Sequence, residues 1–181
     1  MNPTKIIRKY YEVDSKLYRL LVEHNQAVEK KSIEIAKGVS QLNPDLQFIE
    51  EVAMLHDIGI YLTDAPDLKC FGKKPYICHG YLGREIVEKE GLLKHALVCE
   101  RHVGVGITIK EIESRNLPLP KRDMRPVTIE EEIICCADKY FSKSKDSVIR
   151  EKSVNEIREG LQKFGEDKVQ RFNEWMVKFS L

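Results

Sequence analysis

A chain of 181 residues, 42% hydrophobic and 33% charged, is long enough to bury one core without disulfides and too apolar in pattern to stay disordered. Thirty basic side chains against twenty-nine acidic ones leave a net charge of +1, which excludes a global field drawing the chain onto nucleic acid or an anionic membrane; any phosphate recognition is local. No apolar run reaches signal-peptide or membrane-spanning length, and five cysteines without a C-x-x-C pair argue against a closed disulfide framework, so a cytoplasmic, reducing setting is expected.

Apolar residues recur at helical spacing, with no repeat or low-complexity tract, and predict an all-α, single-domain fold over residues 1–181. Short helices are expected near 4–12 and 15–22, the second capped by Asp14 or Ser15. A helix over about 25–42 then stops at Asn43-Pro44, and one over 46–57 stops at Gly59. The stretch IYLTDAPDLKCFGKKPYIC (60–78), with two prolines, a glycine and Lys73-Lys74, reads as a loop or lid. Helices follow at about 79–90 and 92–102, separated by Gly91, and then the irregular VGVGIT and a short helix near 108–116. LPLPKRDMRPVT, with three prolines, must be extended. Helix 128–143 comes next, and helices over about 151–163 and 166–179 end the chain. In this tail Val154, Ile157, Leu161 and Phe164, then Val169, Phe172, Met176 and Phe179, mark apolar stripes that pack on the domain, a homodimer interface being the alternative.

The chemistry-bearing residues stand out by the helix face they occupy. His56 closes the stripe Ile49, Val52, Ala53; Asp138 lies on the stripe of Ile134, Ala137 and Phe141; His79 and His102 sit on the stripes of their own helices, and His24 heads that of 25–42. Inward histidines and an inward aspartate from five helices need one explanation, and a divalent metal supplies it, since imidazole and carboxylate are its common donors. His56 and Asp57 differ by about 100° around a helix, but at its last turn both can reach one centre. Cys99, Cys135 and Cys136, in apolar stretches, read as small hydrophobes.

The ordered set His24, His56-Asp57, His79, His102, Asp138, with HDIG at 56–59, resembles the H…HD…H…H…D signature of the HD-domain metal-dependent phosphohydrolases. The likeness covers about residues 24–141, and the phrase PVTIEEEIICCADKYFSKS is similar to the helix carrying the final aspartate of small members. The resemblance implies that His24, His56, Asp57 and Asp138 hold one metal and that Asp57, His79 and His102 hold a second, with His56-Asp57 at the catalytic centre. Iron, manganese, cobalt, nickel and zinc all suit these donors. The activity it implies is hydrolysis of a phosphate ester or anhydride in a small nucleotide-like substrate by metal-activated water; a catalytically inactive metal- or nucleotide-binding regulatory module of the same fold is the alternative. RHVGVGIT stands where the members that open cyclic dinucleotides carry His-His-Glu and Gly-Tyr-Pro, so that activity is disfavoured. Small HDIG proteins and the HD-type hydrolases of symmetrical dinucleoside tetraphosphates are more similar.

Cations near the ligands or on the two irregular regions are the candidates for substrate phosphate: Lys139, Arg84 and Arg101, then Lys73, Lys74 and Arg125, with Lys121 and Arg122 beside it. His95 is left over, on a face that suits a place behind the ligands or at the surface. Nucleic acid is not an expected partner, since the loop cations lack aromatic interleaving.

Overall fold

The computed structural model describes residues 1–143 and 149–181. Its helices, in chain order, are α1 (Pro3–Tyr10), α2 (Lys16–Gly38), α3 (Leu46–Ala53), α4 (His79–Lys89), α5 (Leu93–Arg101), α6 (Ile109–Ser114), α7 (Ile129–Lys139), α8 (Val154–Gln162) and α9 (Glu166–Phe179). Local chemistry sets their starts. The side chains of Asn2, Ser15 and Asp45 cap α1, α2 and α3, and Thr108, Thr128 and Ser153 head full capping boxes with Glu111, Glu131 and Glu156. Among the described residues no helix is long and apolar enough to cross a membrane.

Three expectations change. The helices near 15–22 and 25–42 are one 23-residue helix, because the polar pair His24-Asn25 lies on the buried stripe with Leu21, Val28, Ser32, Ile35 and Ala36 instead of breaking it. The helix over 46–57 ends at Ala53, and the one over 128–143 ends at Lys139, where Phe141 leaves to bridge Glu151. Ser144, the last residue of the phrase resembling the final-aspartate helix, lies outside the described residues. The 60–78 segment is ordered, with a small sheet of β1 (Thr63–Ala65), β2 (Cys70–Phe71) and β3 (Lys74–Pro75) in the order β2-β1-β3 and one-turn helices at Ile60–Leu62, Pro66–Leu68 and Tyr76–Cys78. Strands of two or three residues are too short to show a period of two.

The core has two main apolar clusters. One joins the C-terminal half of α2, α3 and α7 to α8 and α9 through Ile157, Leu161, Val169, Phe172, Met176 and Phe179, so the tail stripes pack inward except at Phe164, which is 59% exposed. The other joins α1 and Leu21 of α2 to the turn after α3, α4 and α5. All five cysteines are buried and free.

Candidate metal centre

Past Ala53 the chain keeps winding but tightens: His56 N bonds to the Val52 carbonyl at 2.9 Å, Ile58 N to Leu55 O at 2.9 Å and Ile60 N to Asp57 O at 3.0 Å. His56 and Asp57, both fully buried, thereby face the same side. Gly59 lets this turn touch α4, since a Cβ there would stand 2.2 Å from the His79 carbonyl oxygen and 2.5 Å from Gly83 N. The glycine of HDIG is therefore a packing requirement that sets His79 beside Asp57. Pairing of α4 with α5 brings in His102 at the end of α5, while α2 and α7 contribute His24 and Asp138.

Two groups of donor atoms result, His24, His56, Asp57 and Asp138 in one and Asp57, His79 and His102 in the other, each within 4.8 Å and all buried. His24 Nε2 lies 3.2 Å from Asp57 Oδ2 and 3.0 Å from Asp138 Oδ1; His56 Nε2 lies 3.1 Å and 3.6 Å from the same two oxygens. The other oxygen of Asp57, Oδ1, is 3.5 Å from His79 Nε2 and 3.4 Å from His102 Nε2. Asp57 thus offers one oxygen to each group.

The hydrogen bonds behind the ligands fix what they offer. Nδ1 of His56 donates to Ala53 O at 2.6 Å, that of His79 to Tyr76 O at 2.6 Å and that of His102 to Cys99 O at 2.7 Å. A carbonyl only accepts, so Nδ1 carries the proton in all three, and in the neutral ring Nε2 presents its lone pair to the centre. The Nε2 atoms of His79 and His102 stand 3.2 Å apart. Two lone pairs facing each other call for a cation between them. Asp57 Oδ1 and His56 Nε2 are buried without hydrogen-bond partners, a costly arrangement that a coordinated cation relieves. The residues fit divalent metals.

Electrostatics agree. Burial, helped by the Lys143 charge and opposed by Asp57, pushes His79 down to about 3, and burial also lowers His102, so both stay neutral donors at neutral pH. Burial disfavours the charged form of His56 as well, but the Asp57 and Asp138 carboxylates outweigh it and raise His56 to about 9. A positive charge is therefore held among those three groups whether a proton or a metal carries it. Burial opposes ionisation of Asp57 and Asp138; the Lys143 charge on the first and the Lys139 charge on the second overcome it and keep both well below the usual carboxylate range. Lys143 Nζ is 2.5 Å from Asp57 Oδ2, and Lys139 Nζ is 2.8 Å from Asp138 Oδ2.

A cavity of about 660 Å³ opens beside the centre, with His79, Asp138, Lys139 and Lys143 on its wall. Among the sequence-predicted phosphate contacts, Lys139 lines it. Arg84 pairs instead with Glu88 and Glu100, and Arg101 makes two bonds to Glu131 through one nitrogen. Arg125 bonds to Asp123, Arg122 to Glu100, and Lys121 lies 3.9 Å from Glu113. Lys73 and Lys74 do not line the cavity, although Leu68, Tyr76 and Ile77 of the same segment do. His95 belongs to neither donor group; it lies 3.2 Å from Glu51 and edge-on to Phe48. Lys143 and Lys152 face the cavity with no signal in the sequence, because both follow the end of α7, where helical periodicity no longer says which way a side chain points.

Residues 21–142 match the HD domain family, and the chain belongs to it. An uncharacterized protein of Methanocaldococcus jannaschii, MJ0778, is 36% identical over 137 residues, 72% of this chain and 73% of the relative. Two proteins named tRNA (cytidine(56)-2'-O)-methyltransferase also match: that of Thermoplasma volcanium is 29% identical over 78% of this chain, and that of Picrophilus torridus 32% over 68%. The chain spans 38% and 32% of their lengths. Among solved structures, the HD domain of the L. monocytogenes phosphodiesterase PgpH superposes with a TM-score of 0.49 at 15% identity, covering 89% of this chain and 94% of that one.

Proposed function

We propose that this protein is a metal-dependent phosphohydrolase that cleaves a phosphate ester or anhydride in a small, nucleotide-like substrate. One observation carries the reading: two buried donor groups share Asp57 and abut a cavity lined by lysines. His24, His56, Asp57 and Asp138 would hold one divalent ion, and Asp57, His79 and His102 a second. Bound there, the ions supply Lewis acidity, lowering the pKa of a water and neutralising charge on the phosphoryl oxygens.

The chain's own groups do the rest. The Nδ1 hydrogen bonds hold three imidazoles in the donor tautomer, and burial keeps bulk water from competing at the carboxylates. Lys139 and Lys143, ammonium groups between the carboxylates and the cavity, are placed to pair with a phosphate that enters, which anchors the substrate with its phosphorus toward the centre. Methyl transfer is not carried over from the two methyltransferases, of which the match spans about a third.

The test is metal analysis of the purified protein together with a phosphatase and nucleotidase panel under manganese, iron, cobalt, nickel and zinc, for wild type and Asp57→Ala. Stoichiometric metal and turnover, both lost in Asp57→Ala, are expected. Metal or nucleotide binding without turnover would make the protein a regulatory module, and absence of both would remove the metal reading altogether.

A further inference from the structure

One wall of the cavity comes from outside the residues shared with the HD domain family, 21–142. Lys152 precedes α8, Ile157, Gly160 and Leu161 belong to α8, and Phe164 follows it. At about 660 Å³ the cavity has the size of a small-ligand pocket. Its lining mixes two chemistries: the ammonium groups of Lys139, Lys143 and Lys152 and the charged Glu111, Arg115, Glu156 and Lys168 stand with the apolar Val103, Ile107, Leu117, Ile157, Leu161 and Phe164.

Two residues of this wall are unexplained by folding. Lys139 and Lys143 each pair with an aspartate, but Lys152 has no carboxylate within 4.0 Å among the described residues; its Nζ reaches only the Lys139 carbonyl, at 3.4 Å. Burial and the Lys139 and Lys143 charges, only partly offset by the Asp138 and Glu156 carboxylates, hold this ammonium below its ordinary range. Its backbone N bonds to Tyr140 O at 2.7 Å, which holds the residue over the end of α7. A third cation beside two others is costly unless an anion joins them. Gly160 lies inside α8, where glycine costs about 1 kcal/mol relative to alanine, and a Cβ there would meet no atom within 4 Å. Neither a close approach nor a positive φ requires this glycine.

We propose that this C-terminal wall is the specificity element of the site, Lys152 contacting a phosphate of the substrate and Gly160 leaving room for the substrate's apolar body. The inference rests on the phosphohydrolase reading for the direction of the phosphate. It commits to a small molecule with an anionic head and one apolar body that the pocket encloses.

Inorganic phosphate and phenylphosphonate, which resists hydrolysis, are the binding probes, titrated calorimetrically into the protein with the metals it carries as purified. Wild type should bind phenylphosphonate about tenfold more tightly than phosphate, because the ring buries apolar area. Gly160→Leu, which fills the space, should lose that preference while binding phosphate as wild type does and melting no lower. Lys152→Met should weaken both probes about tenfold, the effect of one charge-assisted hydrogen bond, and Lys152→Arg should restore them. Wild-type affinities in Lys152→Met, a preserved preference in Gly160→Leu, or no binding of either probe to wild type would each overturn the inference. Turnover of phenyl phosphate separates the two readings. Binding that follows the expected pattern without turnover under any metal refutes the hydrolase and leaves the wall standing; turnover with an unchanged KM in both variants refutes the wall and leaves the hydrolase.

Discussion

Gly59 shows how one absent side chain positions the centre. The atoms that a Cβ would strike, His79 O and Gly83 N, are backbone at the start of a helix and cannot rotate away, so relief requires the His56-Asp57 turn and α4 to separate. Overpacking of this kind costs about 3 kcal/mol, roughly 6–12 °C in Tm for a chain of this size. Gly59→Ala is therefore expected to melt lower by that amount and to lose metal from the Asp57, His79, His102 group first, because His79 moves away from Asp57. Gly38→Ala, at a position where a Cβ meets nothing within 4 Å, should melt at or above wild type. Parallel thermal melts and metal analysis decide; equal melting of the two variants would mean that α4 is not held by this contact. The six ligand candidates were legible because each lies on an apolar helical stripe or beside one, where a polar side chain demands a partner. His95 shows the limit of that rule: it too occupies an inward stripe, yet Glu51 and Phe48 satisfy it outside both donor groups.

Element by element, capping chemistry and period gave the helices, and the departures arise where tertiary partners reassign polar residues. His24 and Asn25 read as a helix boundary, but Asn25 donates to the Met54 carbonyl at 2.7 Å and His24 faces the aspartates, so α2 runs through them. Similar reuse joins α6 to α9. Glu111 closes the Thr108 capping box with one oxygen and meets Lys168 of α9 at 2.5 Å with the other, and Lys168 also donates to Gly106 O at 3.1 Å. Burial opposes ionisation of Glu111, and the Lys168 and Thr108 hydrogen bonds overcome it, leaving the carboxyl below its ordinary 4.5. A carboxyl lowered in the folded state contributes stability that is complete above its unfolded pKa and is lost as pH falls through the folded one. Glu111→Gln should therefore cost about 1–2 kcal/mol at pH 7, and the gap in Tm from wild type should narrow as pH drops below 4.5. A pH-independent gap would show that the Glu111 charge is not the source of the loss.

Across the whole molecule, the candidate metal centre lies on the seam between the two apolar clusters. His24 stands between Leu21 of the α1-side cluster and Val28 of the α9-side one; His56 and Asp57 follow Ala53 of the α9-side cluster and Met54 and Leu55 of the α1-side one. His102 follows Val98 and Cys99, which divide the same way. Each cluster has its own fully buried side chains, Phe172, Ile133 and Ile134 in one and Ile7, Leu55 and Ile58 in the other. The fold thus has enough apolar burial to stand without a cation, unlike a small domain whose metal is its core. What a cation adds is a link across the seam. An ion at 100 times its Kd contributes about 2.7 kcal/mol, roughly 5–11 °C in Tm for a chain of this size. Chelation is therefore expected to lower Tm by that amount with helical circular dichroism retained at 25 °C, and added manganese or zinc to restore it in wild type but not in Asp57→Ala. Slowed hydrogen exchange on metal binding should concentrate in 54–59 and at the facing ends of α2, α4 and α5, where the clusters meet. Complete unfolding on chelation, or protection confined to one cluster, would show that the centre is not a link between two self-sufficient halves.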